Sequence, residues 1–154
     1  MARRWLLGVM LAFACVAIAG ADDKRLHAAY DGRIVISPDP VPTIADELQR
    51  YLDANATKND QYDLVKGPPW TIHLVGVLAK DPGTKPVTLV FVDTAAADKK
   101  AAPLQSIELT AKRRMVIANT TATTAAGFEA NKTYLVQILA DGKPVAKAEL
   151  TLRH

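Results

Sequence analysis

From Trp70 onward the chain alternates apolar and polar residues with a period of two. Trp70, Ile72 and Leu74 alternate with Thr71 and His73, the pattern of a half-buried strand. The phase shifts at Val75-Gly76-Val77, as a bulge at Gly76 would make it do. Val87 to Asp93 is apolar on both faces, which predicts a central strand. Ile107, Leu109 and Ala111 alternate with Glu108, Thr110 and Lys112, and Arg114 to Asn119 reads as a further strand. Thr120 to Gly127 reads as frayed strand or loop. Tyr134, Val136 and Ile138 open a strand that runs to Ala140, and Asp141-Gly142 predicts a tight hairpin. In the last strand Ala146, Ala148, Leu150 and Leu152 face inward and Lys147, Glu149 and Thr151 outward.

Upstream of Trp70 the pattern is sparser. Residues 22–31 form a polar lead-in. Arg33 to Ser37 is a short apolar strand, stopped by Pro38, Pro40 and Pro42. Thr43 to Ala54 predicts the one clear helix, with Ile44, Leu48, Tyr51 and Leu52 on one stripe. Thr43 is placed to cap it, and Asp46 and Glu47 suit the positive end of its dipole. Asp46 and Arg50 have the spacing of an ion pair on its outer face. Residues 55–69 read as a polar loop ending in Gly67-Pro68-Pro69, and Ala95 to Pro103 as an Ala/Lys-rich loop.

This gives about seven strands with one short helix between the first two, the pattern of a single two-sheet β-sandwich over residues 32–154. The segment Phe128-Glu-Ala-Asn-Lys-Thr-Tyr134-Leu-Val-Gln-Ile-Leu resembles the penultimate strand of immunoglobulin-like and fibronectin-III-like domains. In those domains a tyrosine near the strand start forms the tyrosine corner. The resemblance implies that role for Tyr134 and an immunoglobulin/fibronectin-III-like sandwich. Such a fold implies no function by itself.

The first residues follow another logic. Met1-Ala2-Arg3-Arg4 is basic, Trp5 to Gly20 is uncharged and mostly apolar, and Ala19-Gly20-Ala21 is a small-x-small site before Asp22. That is the layout of a signal peptide over residues 1–21, with cleavage after Ala21 or, second, after Ala19. Arg3-Arg4 alone does not make a twin-arginine signal. The run falls short of the roughly 20 apolar residues that a membrane span needs. The expected product is exported, periplasmic or secreted, with no transmembrane span after cleavage. Lipid anchoring through Cys15 is the weaker alternative, because Ala12 stands where a lipoprotein box normally has Leu.

Composition adds a globular balance: 49% of the 154 residues are hydrophobic and 23% charged. Cleavage after Ala21 removes Arg3 and Arg4. Lys+Arg then falls from 19 to 17 against 16 Asp+Glu, and the net charge from +3 to +1. That is no basis for nucleic-acid binding, and the one basic run left, Lys112-Arg113-Arg114, reads as a solvated turn. Cys15 is the only cysteine, so the cleaved chain has no thiol for catalysis, metal binding or a disulfide.

Catalytic and metal chemistry find little support. His27, His73 and His154 share no ligand spacing. Asp141-Gly142-Lys143-Pro144-Val145 resembles the last hairpin of periplasmic copper carriers of the copper-resistance type. There a histidine stands where this chain has Lys143, and a cation at that place repels a metal. Ser37 and Ser106 are the only serines and lie near no histidine in sequence. The carboxylate pairs Asp22/Asp23, Asp46/Glu47 and Asp60/Asp63 fall on a lead-in, a helix start and a loop. No catalytic, cofactor or metal residue is assigned.

Binding surfaces remain. Trp70 beside prolines is a candidate recognition platform, although its alternation with Ile72 and Leu74 favours a core position. Tyr62 and loop 55–69 offer a second face, and Asn119 to Thr124 a candidate edge strand. Asn55, Asn119 and Asn131 open Asn-x-Thr sequons, relevant only in a glycosylating host. The expected function is therefore a non-catalytic interaction or structural module whose partner is an envelope or extracellular protein or a glycan. The alternative is a carrier of a small ligand or metal.

Overall fold

The computed structural model describes residues 23–95 and 102–154. The expected signal peptide, its cleavage sites and Cys15 lie outside the described residues, as does most of the Ala/Lys-rich loop.

The elements in chain order are α1 (Asp23–Tyr30), β1 (Arg33–Ser37), α2 (Ala45–Asn55), β2 (Gln61–Leu64), β3 (Trp70–Val77), β4 (Val87–Asp93), β5 (Gln105–Leu109), β6 (Met115–Ala122), β7 (Lys132–Ala140) and β8 (Lys143–Leu152). The protein is mostly β. Seven strands follow one path, β5-β4-β7-β8-β1-β3-β6, and β2 pairs with β8 beside it. The path is nearly closed, like a barrel with one seam between β5 and β6. Across the seam the Gln105 amide donates to the Thr120 hydroxyl at 3.2 Å.

The interior follows the predicted alternation. Phe91, Tyr134, Val136, Ile138, Leu150 and Leu152 are fully buried, each such side chain contributing roughly 1.5–3 kcal/mol. Phe128 meets Phe91 and Tyr134 edge to face, with centroids 5.8 and 5.0 Å apart. The Tyr134 hydroxyl accepts the Glu129 backbone N–H at 2.8 Å. β4 is central, between β5 and β7, as its two apolar faces predict. Asp141 and Gly142 both have positive φ and join β7 to β8.

Several sequence expectations change. The polar lead-in contains α1, and its Leu26 and Tyr30 are buried. The Tyr30 hydroxyl donates to Asp53 of α2 at 2.5 Å. α2 begins at Ala45, with Ile44 rather than Thr43 at its N-cap and no side-chain cap bond. Ile44 is extended there, so it leaves the apolar stripe and is 58% exposed. Asp46 and Arg50 form no ion pair among the described residues; Gln49 bonds Asp53 instead.

Gly76 is not a bulge. Its register runs unbroken against Ile34 on one side and Val116 on the other. A Cβ there would lie 2.2 Å from Cδ1 of Ile138, so the glycine admits a side chain from the facing strand. The phase shift has another cause. Paired residues share a face, so Val35, Val75 and Val77 lie opposite the interior set Ile36, Leu74 and Ile34, yet all three are buried. Helices α1 and α2, which pack on β3 and β1, cover that outer face.

The basic run also departs from expectation. Lys112 to Met115 is a turn with Lys112 and Arg113 exposed, as expected, but Arg114 is partly buried. Its Nε donates to the Leu78 carbonyl at 3.0 Å, its Nη2 to the Ala79 carbonyl at 3.0 Å, and it pairs with Asp31.

Candidate functional site

The most distinctive local feature is a fork in the sheet. β1 is paired with β8 only at Arg33↔Lys147 and then diverges. From Gln61↔Glu149 to Leu64↔Leu152, β2 takes over that edge in parallel. Arg33 holds the fork. Its Nε pairs with Asp60 at 2.7 Å, its Nη2 donates to the Thr57 carbonyl at 2.6 Å, and its guanidinium stacks 5.2 Å above the Tyr30 ring. Loop 55–69 is thus partly a strand, and a sequence reading misses it because β2 has only four residues and a partner far along the chain.

Beside the fork lies a groove of about 670 Å³. Ile36 and Pro38 line it from the end of β1, Ala54 and Asn55 from the end of α2. Most of its polar side chains come from β2, β7, β8 and Arg153 just past β8, and they engage one another across the strands. Gln61 donates to Glu149 at 3.2 Å, Arg153 faces Asp63 at 3.4 Å, and the Thr133 and Thr151 hydroxyls bond at 2.8 Å. Each group keeps further donor or acceptor capacity. The groove therefore carries two acids, Asp63 and Glu149, against one base, Arg153, and is rich in hydrogen-bonding groups.

Tyr62, predicted as a binding residue, lines this groove but is only 5% exposed. Its hydroxyl is buried beside Thr57 without completing a hydrogen bond, and burial raises its pKa. It is a neutral phenol in the wall. Trp70 is a core residue, as its alternation favours. It is 1% exposed, its indole N–H donates to the Arg153 carbonyl at 2.6 Å, and Gly67 leaves room for its ring. A smaller cavity of about 310 Å³ adjoins it, lined by Phe128, Glu129 and His154 among others.

The carboxylate pairs do not converge on a reaction centre. Asp60 and Asp63 answer to different arginines, Arg33 and Arg153. Asp46 and Glu47 are in the first turn of α2, at the surface. Asp22 and the Asp23 side chain lie outside the described residues.

Folding does set Ser37 opposite His73, which no local motif announces. Ser37 is 1% exposed and its hydroxyl accepts the Asp39 backbone N–H at 3.0 Å. Burial lowers the His73 pKa, opposed by Asp39. At that burial the Ser37 hydroxyl is closed off from solvent. Among the described residues no three potential ligands gather around a metal position. Lys143 is exposed in the hairpin where a copper carrier would present histidine.

The third candidate, Asn119 to Thr124, is strand only as far as Ala122. There β6 forms one end of the strand path and, among the described residues, pairs only with β3. Thr123 caps a single 3₁₀ turn at Thr124–Ala126. No described helix is long and apolar enough to cross a membrane. No protein-family model matches the chain, and no curated protein is significantly similar to it.

Proposed function

We propose that this chain is an exported, non-catalytic interaction module that meets an envelope or extracellular protein or a glycan through the groove at the fork. The observation that carries this reading is the groove itself: a large concave surface whose acid, base, amide and hydroxyl groups bond one another across the strands and retain hydrogen-bonding capacity. Such a surface suits recognition by hydrogen bonds. Export rests on the leader pattern of residues 1–21.

The finer fold reading is an immunoglobulin/fibronectin-III-like sandwich. The strand path is thinnest at the lone β1–β8 pair. Dividing it there leaves β5-β4-β7-β8 and β1-β3-β6 as two sheets. The bond from Glu129 N–H to the Tyr134 hydroxyl has the form of a tyrosine corner.

A second reading, carrier of a small ligand, is favoured by the cavity volume, which lies in the range of small-molecule pockets. A photo-cross-linking residue at Gln61, with Lys143 as control position, tests both in the native host. Cross-links at 61 that vanish with Glu149→Arg support the interaction module. A ligand mass that co-purifies and is lost with the same variant makes it a carrier. Equal capture at 61 and 143 removes the groove from consideration.

A further inference from the structure

The three Asn-x-Thr sequons differ in the residues that precede them. Asn55 follows Asp53-Ala54 and Asn131 follows Glu129-Ala130, whereas Asn119 follows Ile117-Ala118. Two of the three thus read acid-x-Asn-x-Thr. That longer pattern is the acceptor signal of bacterial oligosaccharyltransferases. The acid two residues ahead of the asparagine offers a cation of the enzyme a charge-assisted partner.

The fold separates the two acidic sequons. In Asp53-Ala54-Asn55-Ala56-Thr57 every recognition group is engaged within the chain. Asp53 accepts the Tyr30 hydroxyl at 2.5 Å and the Gln49 amide at 3.0 Å. The Asn55 amide donates to the Tyr51 carbonyl at 2.8 Å, and the Thr57 hydroxyl accepts the Gln61 N–H at 3.0 Å.

In Glu129-Ala130-Asn131-Lys132-Thr133 the acid and the amide are open. Glu129 is exposed, and its one ion pair among the described residues is a 3.7 Å contact with Lys132, which holds Asp93 at 2.6 Å. Asn131 is exposed, and its side-chain amide makes no hydrogen bond among the described residues. Its backbone is held by the bond from its N–H to the Leu152 carbonyl at 2.6 Å, with φ at 62° in the turn ahead of β7. Asparagine tolerates that region. The Thr133 hydroxyl is shared with Thr151 at 2.8 Å. Thr133 is the second residue of β7, and a strand end opens at small cost. Asn119 lacks the acid and lies within the β3–β6 ladder.

We propose that Asn131 is an N-glycosylation site of the exported chain. The donor is an oligosaccharide carried on a polyprenyl pyrophosphate. Nδ2 of Asn131 attacks C1 of the first sugar and forms the C–N bond. The C1–O bond breaks, the lipid pyrophosphate leaves with its electron pair, and the amide gives up one proton. The inference rests on export and is independent of what the groove binds.

The test is the intact mass and peptide map of the full chain, leader included, expressed in a bacterium that carries an oligosaccharyltransferase and its lipid-linked donor. One glycan is expected on the leader-free chain, in the peptide that contains Asn131. Asn131→Gln abolishes it. Glu129→Gln lowers occupancy about tenfold, the effect of one lost charge-assisted contact. Asn119→Gln leaves it unchanged, and circular dichroism is the same for all three variants. A leader-free chain with Asn131 bare overturns the proposal. So does a glycan on Asn55 or Asn119 instead, and so does occupancy indifferent to Glu129→Gln. A chain that keeps its leader and stays in the cytoplasm removes export and this site together, which tells that failure from a failure of the site alone.

Discussion

The turn between β7 and β8 and the turn from Lys112 to Met115 share one backbone form. Each places two successive residues at positive φ, Asp141 and Gly142 at 51° and 75°, Arg113 and Arg114 at 50° and 62°. In the second, Lys112 and Met115 exchange both backbone bonds at 2.9 Å, which closes a two-residue loop. Asp-Gly adopts this form readily, because glycine has no Cβ and aspartate tolerates the left-handed region. Two arginines do not: a left-handed conformation costs an ordinary residue about 1–2 kcal/mol. The offset comes from outside the turn. Arg114 donates to the Leu78 and Ala79 carbonyls and pairs with Asp31, and hydrogen bonds to a charged group contribute about 1.5–3 kcal/mol. The same geometry is local in one place and imposed from a distance in the other.

The contrast can be broken at Arg114. Arg114→Ala is expected to lower unfolding stability by about 2 kcal/mol in a denaturant titration, since it strands two strand-end carbonyls. Arg114→Lys should recover less than half of that, because a point charge cannot fork between them. At the other turn Gly142→Ala should cost about 1 kcal/mol. An added Cβ there meets nothing within 4 Å, so the loss is purely conformational. The smallest effect sharpens the comparison. Asp141→Asn keeps the turn chemistry and removes only the exposed ion pair with Lys85 at 3.6 Å, so the melting midpoint should stay put, within about 0.5 kcal/mol. A larger loss from Asp141→Asn than from Arg114→Ala would mean that the two turns have been assigned the wrong causes.

The fork and groove show the same division at larger scale. β8 is legible residue by residue, because inward Ala146, Ala148, Leu150 and Leu152 alternate with outward polar residues. Its partners on the far edge are not. Tyr62 and Leu64 are two apolar positions in a polar stretch, too few for a period, and they become a strand only because β8 outruns β1. The groove needs Gln61, Glu149, Asp63 and Arg153 side by side, and Gln61 and Glu149 stand 88 residues apart in the chain. The Thr-rich edge, by contrast, is visible as a candidate, since an uncharged β-prone run is a local property. How far it stays strand becomes visible only with the register against β3.

The sequence by itself determined the mostly β character, the positions of most strands along the chain, the Asp-Gly hairpin and the inward set of β8, and it favoured a core position for Trp70. Each follows from side-chain period or turn chemistry over a few neighbouring residues. Only the tertiary structure decided that α1 buries Leu26 and Tyr30, that Gly76 makes room for Ile138, that Arg114 clamps the end of β3, and that β2 closes the fork. Those features draw their stability from contacts between distant segments. Local propensity is silent there, or, at Arg113-Arg114, opposed to the outcome.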